Sequence, residues 1–202
     1  WSARPEQGYV EYITSIDDVP LNSGDWLILG RTNYRLKNLV PQLKERGLYF
    51  EIKNRKSYRT RLYRSIQDYT RWTNGDKLSL SECKDLFEFL ELDKELKEER
   101  MYDLKEFGFS FTDHWYKVFK ADPEECLYFR EMIRNEEKLS EDPRIKLSTI
   151  HAAKGGEATN VLIILDDTKK IREAIEKSLD KYDEEQRVWY VGVTRTKQNL
   201  YI

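Results

Sequence analysis

The sequence predicts an α/β protein: a parallel sheet with flanking helices, interrupted by a small all-helical inserted subdomain. Three observations carry that expectation. Residues 26–29 (WLIL) and 161–165 (VLIIL) are short continuous apolar runs, the pattern of strands buried on both faces in a parallel sheet. Amphipathic helical segments alternate with strand-like runs toward both ends of the chain, as helical crossovers require. Between residues 78 and 139 the pattern is helical only.

Each element follows from local signals. Residues 10–13 alternate weakly and are expected to form a first strand. A turn cluster, Asn22, Ser23, Gly24 and Asp25, precedes the strand at 26–29, which ends at Gly30. Thr32 or Asn33 can cap a helix reaching Arg46, with Leu36, Leu39, Val40 and Leu43 on one face and Gly47 at its end. Residues 49–52 read as a strand, and 57–73 as a helix with Leu62, Ile66 and Tyr69 inward, closed by Asn74 and Gly75. Ser79 or Ser81 can cap a helix carrying Cys83, Leu86, Phe87 and Leu90, residues 91–100 read as a charged helix or hinge, and Pro123 opens a helix through Met132. Pro143 returns the chain to strand at 145–149, and the strand at 161–165 follows a Gly-Gly loop. Ile171, Ile175 and Leu179 mark one helix and 184–194 a last one before a terminal strand. The expected organisation is therefore 1–75 and 143–202 as two parts of one sheet domain, with 76–142 inserted between them.

The chain of 202 residues is 13% aromatic, too aromatic for a chain that cannot bury a core. Two cysteines without a C-x-x-C pair, and two histidines, argue against a disulfide scaffold or zinc ribbon and for a reducing compartment. No apolar run approaches the ~20 residues of a membrane span. The start, WSARPEQG, has neither an initiator Met nor a signal-peptide core, so the chain is expected to be a piece of a longer protein.

The net charge of −2 conceals sorting along the chain. Residues 31–72 carry 12 basic and 3 acidic side chains, whereas 73–142 carry 11 and 20. Within the basic block, cations such as Arg31, Arg35, Arg55, Arg59, Arg61 and Arg64 are interleaved with Tyr34, Tyr49, Tyr58, Tyr63 and Tyr69. Such a track suits single-stranded nucleic acid, with phosphates meeting charge and bases stacking on rings. The same composition also describes a solvated helix face whose long side chains cover apolar surface.

Two stretches carry chemistry. In residues 147–165, LSTIHAAKGGEATNVLIIL, the side chains of Thr149, His151, Lys154 and Glu157 fall within nine positions of a strand's carboxyl end, where open α/β sheets bind ligands. In residues 184–197, EEQRVWYVGVTRTK, the apolar positions Val188, Trp189 and Val191 face a sheet and Arg195 stands at the helix end. An arginine held there can reach a phosphoryl group bound by a neighbouring domain, or can form a surface ion pair.

Together these stretches resemble a known family. TIHAAKGGEA looks like motif V and VWYVGVTRTK like motif VI of the UvrD/PcrA/Rep group of superfamily 1 DNA helicases, and LILGRTN is similar to the segment that opens their second RecA-like domain, 2A. The resemblance covers residues 1–75 and 145–202, with the helical block where the family inserts its 2B subdomain, here much reduced. It implies a RecA-like sheet, with Arg31, Asn33, His151 and Thr149 on the DNA side. Glu157 is implied at the nucleotide ribose, and Arg195 at the γ-phosphate as an arginine finger, with Lys154 relaying nucleotide state. It further implies ATP and Mg²⁺ as ligands and single-stranded DNA as partner, in a cytoplasmic protein of a bacterium or phage-infected cell engaged in DNA repair or replication. Glu185 and Arg187 match the charged lead-in to motif VI and are expected in structural ion pairs. Gly156 and Ala158 depart from the family's usual Leu and bulky aromatic.

G-x-x-x-x-G-K-[ST] occurs nowhere, so the phosphate cradle is missing. The run VLIILDD at 161–167 imitates a Mg²⁺-binding strand but follows the motif V loop directly and reads as a decoy. The chain is therefore expected to form the C-terminal motor half of an ATP-dependent helicase or translocase, moving 3′ to 5′, inactive alone and completed by an N-terminal RecA-like domain 1A. The alternatives are a stand-alone single-strand-binding module and an inactive helicase-like interaction domain of a repair nuclease complex.

Overall fold

The computed structural model describes residues 7–93, 95–108, 113–153, 155–165 and 168–202, without the Lys170 side chain. Along the chain the strands are β1 (Tyr9–Glu11), β2 (Trp26–Gly30), β3 (Phe50–Ile52), β4 (Arg55–Lys56), β5 (Ile145–Thr149), β6 (Ala158–Ile164) and β7 (Thr196–Tyr201). The helices are α1 (Asn33–Glu45), α2 (Thr60–Thr73), α3 (Leu80–Leu90), α4 (Trp115–Val118), α5 (Pro123–Arg134), α6 (Lys169–Lys177) and α7 (Leu179–Val193). The strands form one sheet in the order β1-β7-β6-β2-β5-β3-β4, parallel throughout except for the short β3–β4 pair. The parallel sheet with flanking helices is the arrangement that the sequence pattern predicts, and it is consistent with the RecA-like fold that the resemblance implies.

β2 lies at the centre, between β6 and β5, and all five of its residues are buried. Burial on both faces explains the unbroken apolar run. One face packs Leu27 and Leu29 with Val161, Ile163 and Leu200, and is covered by Ile150, Ala153 and the α7 residues Val188, Trp189 and Val191. Helix α1 packs on β2 and β5, burying Leu36 and Leu43. Gly192 lets α7 come close to the sheet: a Cβ there would lie 3.4 Å from the side chains of both Ile150 and Ile163.

The chain falls into two compact units, Trp1–Ser57 with Glu131–Ile202, and Tyr58–Arg130. The second unit is helical. Its core gathers Trp72, Phe87 and Phe107 ring to ring, with centroids 5.2–5.9 Å apart. Ser79 caps α3 through a reciprocal capping box with Glu82.

Several local expectations change. The described residues of 91–100 contain no helix, because Glu91 takes a left-handed conformation (φ 50°) that ends α3. Leu179 does not close the helix before it but opens α7, and its side chain is largely exposed. The basic track fails in α2: Arg59 pairs with Glu125, Arg61 with Asp85 and Glu88, and Arg71 with Asp68 and Glu82. Tyr58 and Tyr69 are buried, as is Tyr49 in the sheet unit, so these rings belong to cores and offer no stacking faces. These residues serve a covering, ion-paired helix face, while Arg55 and Arg64 stay exposed.

Candidate functional site

Parallel register decides where the site residues fall. Gly30, the last residue of β2, is level with Thr149 of β5, and the Ile150 N–H donates to the Gly30 carbonyl at 3.1 Å. Arg31 and Asn33 therefore leave the sheet at the same carboxyl edge as Thr149 and His151. The Thr149 hydroxyl accepts from the Ala152 N–H at 3.3 Å, and its carbonyl accepts from the Ala153 N–H at 3.0 Å, so Thr149 builds the turn on which His151 stands exposed. Asn33 is the first residue of α1, which has no side-chain cap from Thr32, and its side chain is exposed. Positively polarised amide groups of that helix start thus lie at the same edge.

Arg31 is not free. Its Nε and Nη2 donate to the two carboxylate oxygens of Glu185 at 2.5 and 3.0 Å, a fork-to-fork pair in which the Glu185 side chain is only 8% exposed. Arg31 and His151 line a cleft of about 430 Å³ with Lys181, Glu184 and Arg187 of α7. Sequence reasoning singled out Arg187 only as an ion-pair candidate and missed Lys181 and Glu184. Their signal was the spacing 181, 184, 185, 188, which repeats on one side of a helix.

Glu157 and Arg195 lie elsewhere. The motif V stretch does not end where it begins: β5 ends at the carboxyl edge with Thr149, whereas β6, parallel to β5, starts with Ala158 at the opposite edge. Ala158 is level with Thr196, and its N–H donates to the Arg195 carbonyl at 3.1 Å. Glu157 and Arg195 are thus neighbours at the amino edge, the length of β2 away, or about 13 Å. This corrects the grouping of all four motif V side chains at one strand end. Nearby, the Asp25 carboxylate accepts from the Thr159 N–H at 2.7 Å. Burial, the largest single influence, pushes its pKa up, but the bonds from Thr159, the Asp25 backbone N–H and the charge of Lys197 together leave it below the usual aspartate value.

Arg195 follows the α7 C-cap, Thr194. Its Nε donates to the Val191 carbonyl at 3.0 Å and its Nη2 to the Thr194 hydroxyl at 3.2 Å. The guanidinium is therefore held in place by its own helix end. Lys154, Asp166 and Asp167 lie outside the described residues, so no position is assigned to the relay lysine or to the acidic end of VLIILDD. Gly156 is exposed and Ala158 is buried in the core cluster.

Among the described residues no group of three His, Cys, Asp or Glu side chains could hold a metal ion, and no helix is long and apolar enough to cross a membrane. Cys83 and Cys126 are free and buried; burial pushes both thiols up, Cys83 to about 12, which leaves neither as a ready nucleophile.

A family model described as the UvrD-like helicase C-terminal domain matches residues 32–202. No curated protein matches the chain.

Proposed function

The chain belongs to the UvrD-like helicase C-terminal domain family, and we propose that it acts as the second motor domain of an ATP-dependent DNA helicase or translocase travelling 3′ to 5′ on single-stranded DNA. The observation that supports this most is the division of labour across the sheet. The carboxyl edge carries Arg31, Asn33 and His151, chemistry suited to phosphates and bases. The amino edge carries Glu157 and Arg195, a carboxylate suited to ribose hydroxyls and a guanidinium suited to a transferring phosphoryl group.

In this reading ATP binds mainly to a partner RecA-like domain that supplies the phosphate cradle and the Mg²⁺ ligands. Among the described residues no group of three His, Cys, Asp or Glu side chains fits a Mg²⁺ site. As the cleft between the domains closes, Arg195 comes up to the γ-phosphate and neutralises charge on its oxygens while the bond breaks. Its bonds to Val191 and Thr194 fix the guanidinium beforehand, so little reorganisation accompanies the reaction. Glu157 orients the nucleoside. At the other edge the strand is held and released as closure alternates.

The test is ATP turnover with and without single-stranded DNA. Turnover stimulated by DNA is expected from the full-length protein, and none from this chain alone. Arg195→Ala in the full-length protein is expected to lower turnover by about 10³-fold or more, the scale of a lost arginine finger, with little change in DNA affinity. Turnover by this chain alone, or an Arg195→Ala protein that keeps its rate and loses DNA binding, would overturn the proposal.

A further inference from the structure

Helix α7 touches both edges of the sheet. Glu185, in its second turn, holds Arg31 at the carboxyl edge, and Arg195, just past its last turn, stands at the amino edge. The ten steps from Glu185 to Arg195 span about 15 Å at helical rise. A second contact reinforces the first: Gly192 brings the helix against Ile150, the residue next to His151. One rigid element therefore bears on the guanidinium at one edge, on the turn that carries the imidazole, and on the arginine at the opposite edge.

Glu185 is also an unusual residue to find at that position. Of the α7 residues only it and Gly192 are buried, and a buried carboxylate is costly unless paired. A buried ion pair contributes little net stability compared with an apolar pair of similar volume. What it does fix is geometry: two parallel N–H···O bonds define the plane and direction of the Arg31 guanidinium and leave its remaining N–H groups for a ligand.

We propose that Glu185 is a positioning residue that ties Arg31 to α7, so that displacement of the helix by a nucleotide at Arg195 changes the grip of Arg31 on the DNA strand. This rests on the motor reading above. It adds a specific link: the strand grip responds to nucleotide through a carboxylate on the arginine-finger helix, and Glu185 itself touches neither ligand.

The test measures single-strand affinity of the full-length protein without nucleotide and with a non-hydrolysable ATP analogue, and takes the ratio of the two. The wild-type ratio is expected to be about 5-fold or more, in the usual range of allosteric coupling. In Glu185→Gln, which keeps the shape but breaks the charged fork, the ratio is expected to fall to within about twofold of unity. Arg31→Lys keeps a cation but cannot form the fork and is expected to flatten the ratio in the same way. The ratio is the readout, whatever the absolute affinities, and a cooperative thermal transition checks that each variant is folded. Folded variants of both kinds that keep the wild-type ratio overturn the role of Glu185 and leave the motor reading intact. A wild-type protein that binds no single strand in either state overturns the motor reading, and the link falls with it.

Discussion

Arg31 and Arg195 carry the same charge in the same sheet unit, and their surroundings give them different constraints. Arg195 is tethered to neutral oxygens at a helix end, which leaves its charge available to a ligand. Arg31 is tethered to a buried carboxylate, so its removal strands a charge. Arg31→Ala is expected to destabilise the fold by about 3 kcal/mol or more, the cost of breaking a buried pair, while Arg31→Leu with Glu185→Leu recovers most of that loss. Urea unfolding of the single and double variants measures this; equal losses in the two would show that the pair is not what holds this region. The residues themselves were legible in the sequence as members of three motif-like segments. Their partition was not: Glu157 is six positions from His151, and nothing in that spacing says that the two stand at opposite ends of the strands.

Among the elements, α3 shows how a short helix is started by side chains. Ser79 and Glu82 satisfy each other's backbone N–H groups, and the Ser79 hydroxyl also donates to Glu82 at 2.8 Å. The Ser79 N–H bond to the Glu82 carboxylate is the main cause holding that carboxyl below the ordinary glutamate value of 4.5; burial opposes it, and Arg71 adds to it. The folded-state pKa is lowered, so this contribution is fully present above pH 4.5 and is lost as pH falls through the folded value. Glu82→Gln is expected to flatten that part of the acid dependence, and Ser79→Ala to cost about 1 kcal/mol. Denaturant midpoints between about pH 6 and pH 3 test this, and an acid limb identical in wild type and Glu82→Gln contradicts it. The cap was readable because a capping box is local in sequence. The ion pairs of α2 were not, since Arg61 meets partners 24 and 27 residues away and composition alone made it look like a nucleic-acid contact. The helix break at Ser178 was hidden for a different reason: the apolar period continues through Leu179 although the backbone turns.

For the whole molecule, the parallel sheet was the most legible feature. A strand buried on both faces must be continuously apolar, and β2 and the end of β6 are. The edge strands β1 and β4 are short and exposed, with too little burial to leave a pattern, and the first was misjudged in extent while the second was missed. What the sheet adds to the sequence is a separation: Arg31, Asn33 and His151, proposed here for the DNA strand, lie at the carboxyl edge, and Glu157 and Arg195, proposed for the nucleotide, lie at the amino edge, with α7 alongside both. The most direct measurement of that claim is an amide chemical-shift titration of the ¹⁵N-labelled chain with a short oligodeoxythymidylate. The account predicts that the largest changes fall on Arg31, Asn33 and His151, with Glu157 and Arg195 nearly unmoved; the largest changes at Glu157 and Arg195, or none anywhere at saturating DNA, would contradict it.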